Sequence, residues 1–173
     1  LLQLRGDHAG AEPLVQEALS IMRAAGNVES PGYAMTLKKQ GLILQARGDL
    51  AGAERVFRET LAIRRKCHED GHPDVAQSLD LLGGVRLELD DYAGAEPLYR
   101  EALAIRRKFL GDGHPQVAAN LASLAAVLQA RGDYAAADSL HQEALTVRRR
   151  FLGDAHPDVA QSLCALGRLR LVC

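Results

Sequence analysis

Proline recurs at Pro31, Pro73, Pro115 and Pro157, and the three intervals (73−31, 115−73, 157−115) are each 42 residues. A unit copied at fixed spacing is one supersecondary element that has to bury its apolar face against its own neighbours, so this recurrence constrains the chain more than any bulk property. An acidic turn keeps the same interval, at Gly6-Asp7, Gly48-Asp49, Asp90-Asp91 and Gly132-Asp133. So does Glu17-Ala18-Leu19, which returns as Glu59-Thr60-Leu61, Glu101-Ala102-Leu103 and Glu143-Ala144-Leu145.

Each unit reads as two helices: one from about Pro73 to Leu89, a turn at Asp90-Asp91, a second from about Tyr92 to Phe109, and a loop from Leu110 to His114. Proline suits a helix start because its missing N–H has no partner there, and glycine, as in Gly111-Asp112-Gly113, ends a helix at little steric cost. Leu79, Leu82, Gly83 and Arg86 follow the i, i+3, i+4, i+7 spacing of one helix face, as do Leu121, Leu124, Ala125 and Leu128. The 47% hydrophobic content excludes disorder, and only 4% aromatics with no tryptophan favours helices over strands. The expected fold class is all-α, built of stacked antiparallel hairpins.

Small residues at Gly41, Gly83, Ala125 and Gly167, alanines at Ala53, Ala95 and Ala137, and Phe57 or Tyr99 four residues later resemble the tetratricopeptide (TPR) pattern. The period of 42, with His-Pro-Asp-Val-Ala at 72–76 and 156–160, is similar to the kinesin light chain form of that repeat. The resemblance implies a right-handed α-solenoid over residues 1–173. Its parts are a partial repeat at 1–26, repeats at 31–70, 73–112 and 115–154, and a partial repeat at 157–173. Close helix contact is expected where each alanine of a second helix faces the glycine of the first. Gln40, Arg86, His141 and Arg170 stand where the family places large apolar or aromatic residues, and looser packing is expected there. Pro13 and Pro97, about a turn inside second helices, each delete a backbone hydrogen bond. The pattern starts and stops mid-repeat, which reads as a fragment. Several of Leu163, Leu166, Leu169 and Val172 are then expected to face water or another chain, with Leu1, Leu2 and Leu4 at the opposite end, so self-association through uncapped ends is one alternative function.

A formal charge of −1 gives no global attraction to nucleic acid or anionic membrane, and no apolar run approaches the ~20 residues of a membrane span. Cys67, Cys164 and Cys173 are odd in number and widely spaced, which reads as reduced thiols and a cytoplasmic location. The basic triplets Arg64-Arg65-Lys66, Arg106-Arg107-Lys108 and Arg148-Arg149-Arg150 would line one edge of a stack and suggest nucleic-acid binding as a further alternative. Their position at helix ends, where cations complement the helix dipole, favours a structural role. His72, His114 and His156 lie a full repeat apart, too far to share a metal ion, so no metal or other cofactor is expected. No nucleophile has a histidine at helical spacing and no phosphate-binding glycine loop is present, so no enzymatic activity is expected.

The groove remains. In relatives of this kind the first helix of each repeat lines the concave face, which here places Met35, Lys38, Lys39, Leu42 and Gln45 there from the first whole repeat. Gln77, Asp80, Gly84 and Leu87 follow, then Ala119, Ala122, Ser123, Ala126 and Gln129, and last Gln161, Cys164 and Arg168. Such a surface suits a protein or peptide partner, and Lys38 with Lys39 suggests an acidic one. Relatives that clamp a chaperone's terminal carboxylates use lysine and asparagine positions of which only Lys38 is matched. The paired asparagines of kinesin light chain grooves are replaced by Lys38-Lys39, Asp80-Leu81, Ala122-Ser123 and Cys164-Ala165. Neither ligand class is implied.

Overall fold

The computed structural model describes residues 8–68 and 71–172. Among these the regular structure is eight helices and no strand: α1 (His8–Ala24), α2 (Pro31–Ala46), α3 (Leu50–Cys67), α4 (Pro73–Glu88), α5 (Tyr92–Leu110), α6 (Pro115–Ala130), α7 (Tyr134–Leu152) and α8 (Pro157–Val172). Leu1, Leu2, Leu4, the Gly6-Asp7 turn and Cys173 lie outside the described residues.

Two kinds of helix start alternate. Ser30, His72 and His114 cap α2, α4 and α6, each in front of a proline, and the histidine Nδ1 atoms accept from the backbone N–H of Asp74 and Gln116 at 3.1 and 3.2 Å. The recurrent histidines are therefore N-caps, satisfying one of the donors that a helix start leaves open. Asp49, Asp91 and Asp133 cap α3, α5 and α7 by accepting from Gly52, Gly94 and Ala136. The turns ahead of them need a left-handed residue, supplied by Gly48 (φ 82°), Asp90 (φ 58°) and Gly132 (φ 84°). Aspartate is among the few non-glycine residues that tolerate this conformation.

The chain divides into two compact units, residues 1–70 and 71–173. In the first, α2 packs on α3 and α1 on α2, around Leu19, Tyr33, Leu37 and Ile63. In the second, α4 pairs with α5, α6 with α7, and α8 packs on α7, while α5 also packs on α6. Val117, Leu121, Leu124 and Val127 of α6 fill the space between Tyr99 and Leu103 of α5 and Val147 of α7.

In the α2–α3 and α4–α5 hairpins the atoms nearest the glycine belong to the aromatic residue of the second helix. A Cβ on Gly41 would lie 2.3 Å from Cε1 of Phe57, and one on Gly83 would lie 3.1 Å from the Tyr99 ring. Ala53 and Ala95 are fully buried, so the alanines permit the approach while the rings occupy it. The looser packing expected at the polar replacements is not seen at His141, which is 5% exposed. Arg86 and Arg170 pair with Asp91 (3.4 Å) and Asp138 (3.6 Å).

Adjacent hairpins are also joined by ion pairs about one repeat apart in sequence: Glu12 with Arg47, Glu96 with Arg131, and Asp138 with Arg170. Glu96 is nearly buried and takes Arg100 as a second partner.

The last helix shows which of its leucines are open and which are covered. Leu166 and Leu169 are 7% and 1% exposed, packed toward α7, while Leu163 and Leu171 are 46% and 88% exposed. Three residues turn a helix about 300°, so a run spaced by threes drifts around the axis, and Leu163 ends about 120° away from Leu169. The side chain of Val172 lies outside the described residues.

The same repeat position should respond with opposite sign in two hairpins. Gly41→Ala forces a methyl into the Phe57 ring, and overpacking of about 1–3 kcal/mol outweighs the ~1 kcal/mol gained in helix propensity. At Gly167 nothing lies within 4 Å, so Gly167→Ala keeps the propensity gain and stabilises by about 0.5–1 kcal/mol. Urea midpoints of the two variants, one lowered and one raised, check the assignment.

Candidate functional site

In the second unit the first helices α4, α6 and α8 supply the side chains expected at a groove. Gln77, Ala126, Gln161, Cys164 and Arg168 are exposed, while Asp80, Gly84, Leu87, Ala122, Ser123 and Gln129 are half-buried. Leu87, Ala122, Ser123, Ala126, Gln161 and Arg168 line one cavity of about 440 Å³. Gln129 lines an adjoining hollow with Ala126 and Arg168. Asp80 and Ser123 line a second cavity, of about 270 Å³. In the first unit, α2 exposes Met35, Lys39 and Leu42, with Lys38 and Gln45 half-buried.

The floor of both cavities comes from second helices, which the sequence reading did not include. Tyr99 and Arg106 of α5 reach the smaller cavity, and His141 and Arg148 of α7 reach the larger. Tyr99, Leu103 and Arg106 are spaced by four and three, so Arg106 falls on the buried face of α5, and this was the available signal. It also corrects the basic edge. The first arginine of each triplet, Arg64, Arg106 and Arg148, is 4%, 9% and 7% exposed. Of the next residues, Arg107 pairs with Glu143 and with Asp112 (3.2 Å), and Arg149 with Asp154 (3.0 Å). The second and third triplets, which read as three solvated cations, each contribute one buried guanidinium, one paired one and one exposed charge, and in the first triplet Lys66 pairs with Glu29.

In the smaller cavity Arg106 pairs with Asp80, and Asn120 Nδ2 donates to Asp80 Oδ1 at 2.7 Å. Burial pushes the Asp80 carboxyl above its ordinary 3.8, against the hydrogen bond and charge of Arg106, which pull it down. Burial and then the charges of Asp80 and Glu88 push the Tyr99 hydroxyl up to about 12, so it stays protonated. In the larger cavity Arg148 Nη1 donates to Ser162 Oγ at 2.7 Å and to the Asp158 carbonyl at 3.1 Å. Burial, followed by the charge of Arg148, lowers the His141 pKa below its ordinary 6.5. The arrangement is a shallow, small-sided surface with hydrogen-bonding groups set into its floor, suited to holding a polypeptide segment.

The tetratricopeptide repeat family model matches residues 1–66, 39–108, 74–137 and 116–171. The chain is a tetratricopeptide repeat protein. Solved structures of similar fold are kinesin light chain-like members of this group. BtubC (BKLC) from P. vanneervenii is 23% identical, with a TM-score of 0.83 over 96% of this chain and 66% of the other. A kinesin light chain from Podosopora anserina with nearly identical TPR-like repeats is 24% identical, with a TM-score of 0.83 over 96% of this chain and 79% of the other. No curated protein sequence is significantly similar to it. These likenesses establish an all-α repeat fold of a family whose repeats generally mediate protein–protein interaction. Among the described residues of this TPR protein no helix is long and apolar enough to cross a membrane.

His141 gives the larger cavity a pH signature. An unfolded histidine titrates near 6.5 and the folded one lower, so between those values the unfolded chain binds more protons. Stability should fall as pH drops through about 6.5 toward the folded pKa and should be unaffected by this group well above it. His141→Phe, which keeps an aromatic ring where the preceding repeat has Tyr99, removes this contribution. The difference in urea midpoint between variant and wild type should shift in favour of the variant on going from pH 8 to pH 5.5.

Proposed function

We propose that this chain is a protein-interaction module that holds a segment of a partner polypeptide along the first-helix face of its repeats, and that it acts as a scaffold rather than a catalyst. The observation that carries the reading is the convergence of Leu87, Ala122, Ser123, Ala126, Gln161 and Arg168, from three successive first helices, on one cavity of about 440 Å³. Small side chains admit a backbone closely, and Ser123, Gln161 and Arg168 offer hydrogen bonds to it. Met35, Lys38, Lys39, Leu42 and Gln45 lie on α2, the first helix of its own repeat, and the proposal extends the same role to them by resemblance. Nucleic-acid binding by the arginine triplets is the weaker reading, because their inner arginines are buried and Arg107 and Arg149 carry carboxylate partners.

Site-specific cross-linking tests the location. Peptides selected from a random display library should be captured by a photo-reactive residue placed at Ala126, and not by one at Thr146, which is exposed on α7 outside the cavity. Capture at Thr146 alone would move the site off the first-helix face.

A further inference from the structure

The cavities at Arg106 and at Arg148 are one site repeated. Asp80, Tyr99, Arg106, Asn120 and Ser123 line the smaller. Forty-two residues on, Ala122, His141, Arg148, Ser162 and Ala165 line the larger. The guanidinium is retained, but its counter-charge is not: Arg106 has the Asp80 carboxylate, and the position equivalent to Asp80 beside Arg148 is Ala122. Arg148 is 7% exposed, its two bonds go to a hydroxyl and a carbonyl, and among the described residues no carboxylate pairs with it. A buried cation without a counter-ion is an expensive feature, whereas the same cation facing a carboxylate is close to balanced. Arg168, exposed at the rim, adds a second positive charge, and Ser123 and Gln161 add polar groups around it.

We infer that the larger cavity is a carboxylate-binding subsite, in which an acidic group of the bound polypeptide occupies the place that Asp80 fills in the preceding repeat and pairs with Arg148. The residue at this repeat position sets the state of each subsite: aspartate closes it from within, and alanine leaves it open to the ligand. Arg148 supplies planar donors matched to a carboxylate and Arg168 closes over it from the rim. Small-sidedness at Ala122 makes room where Asp80 stands in the neighbouring site. The inference rests on the reading of the first-helix face as the peptide-binding surface and names the chemistry that one part of it selects.

The test follows the Arg148 side-chain Nε–H resonance by NMR in the full chain during titration with three capped tripeptides. Ac-Gly-Asp-Gly-NH2 offers a side-chain carboxylate, Ac-Gly-Ala-Gly-OH a terminal one, and Ac-Gly-Asn-Gly-NH2 none. One or both of the carboxylate peptides should give a saturable shift at Arg148 and the asparagine peptide none, and the stronger responder identifies the source of the carboxylate. Ala122→Asp should supply the missing partner from within, raise the urea midpoint, and weaken carboxylate binding about tenfold or more. Asp80→Ala should do the reverse in the preceding repeat, lowering the midpoint and giving the Arg106 resonance a carboxylate response that wild type lacks. Absence of a response to either carboxylate peptide overturns the subsite, as does a response equal for asparagine and aspartate, or one left intact by Ala122→Asp. A response to inorganic phosphate with none to carboxylate overturns it in favour of a phosphate site. These outcomes are separate from the cross-linking at Ala126. Capture there without an Arg148 response leaves the groove standing and removes the carboxylate, while a response without capture removes the groove and keeps an anion site.

Discussion

The α2–α3 and α4–α5 hairpins depend on how closely their two helices approach, and that distance is set by a ring lying over a bare backbone. The Phe57 side chain occupies the volume that a methyl on Gly41 would need, and Tyr99 does nearly the same at Gly83. Once that contact fixes the crossing of the two helices, the remaining faces have nowhere to be buried except against the next hairpin. In the second unit α6 meets both α5 and α7, and its valines and leucines are shared between them. The repeat is therefore a packing unit whose stability is partly its own and partly its neighbour's.

The same geometry decides where polar chemistry can sit. A second helix that presses an aromatic ring against the first helix also carries, one and two turns further on, the residues that look between successive first helices. In α5 these are Leu103 and Arg106, and in α7 Leu145 and Arg148. The guanidinium groups thus arrive under the first-helix face from behind, held by the hairpin and not by loops, with less of their freedom left to lose when a ligand group meets them.

How far the sequence could be read follows from the range of the interactions involved. The recurrence at Pro31, Pro73, Pro115 and Pro157 carried the helices and their order, because capping and periodicity are local and were repeated four times. Of the residues expected on the first-helix face of the second unit, Asp80, Leu87, Ala122, Ser123, Ala126 and Arg168 line cavities, since spacings of three and four determine a face, whereas Gln77, Gly84 and Cys164 do not. What escaped was the direction of residues whose chemistry pointed one way and whose register pointed another. Arg106 and Arg148 read as members of exposed basic runs, and only their spacing from Tyr99 and His141 marks them as inward. His141 read as a defect in the packing and is a buried, neutral replacement for an aromatic ring. The partners of Glu96 and Asp138 lie about a repeat away, beyond the reach of any local rule.

Those ion pairs tie the start of one second helix to the turn or helix of the following hairpin, and they are not equally wet. Arg47 and Glu12 are both substantially exposed, with side chains 58% and 32% accessible, whereas Glu96 keeps only 8%. Mobile ions weaken the first seam far more than the second. Ionic strength therefore acts unequally on the two seams, each within its own unit. As salt rises, the α1–α2 junction of the first unit loosens while the seam at Glu96 in the second keeps its grip.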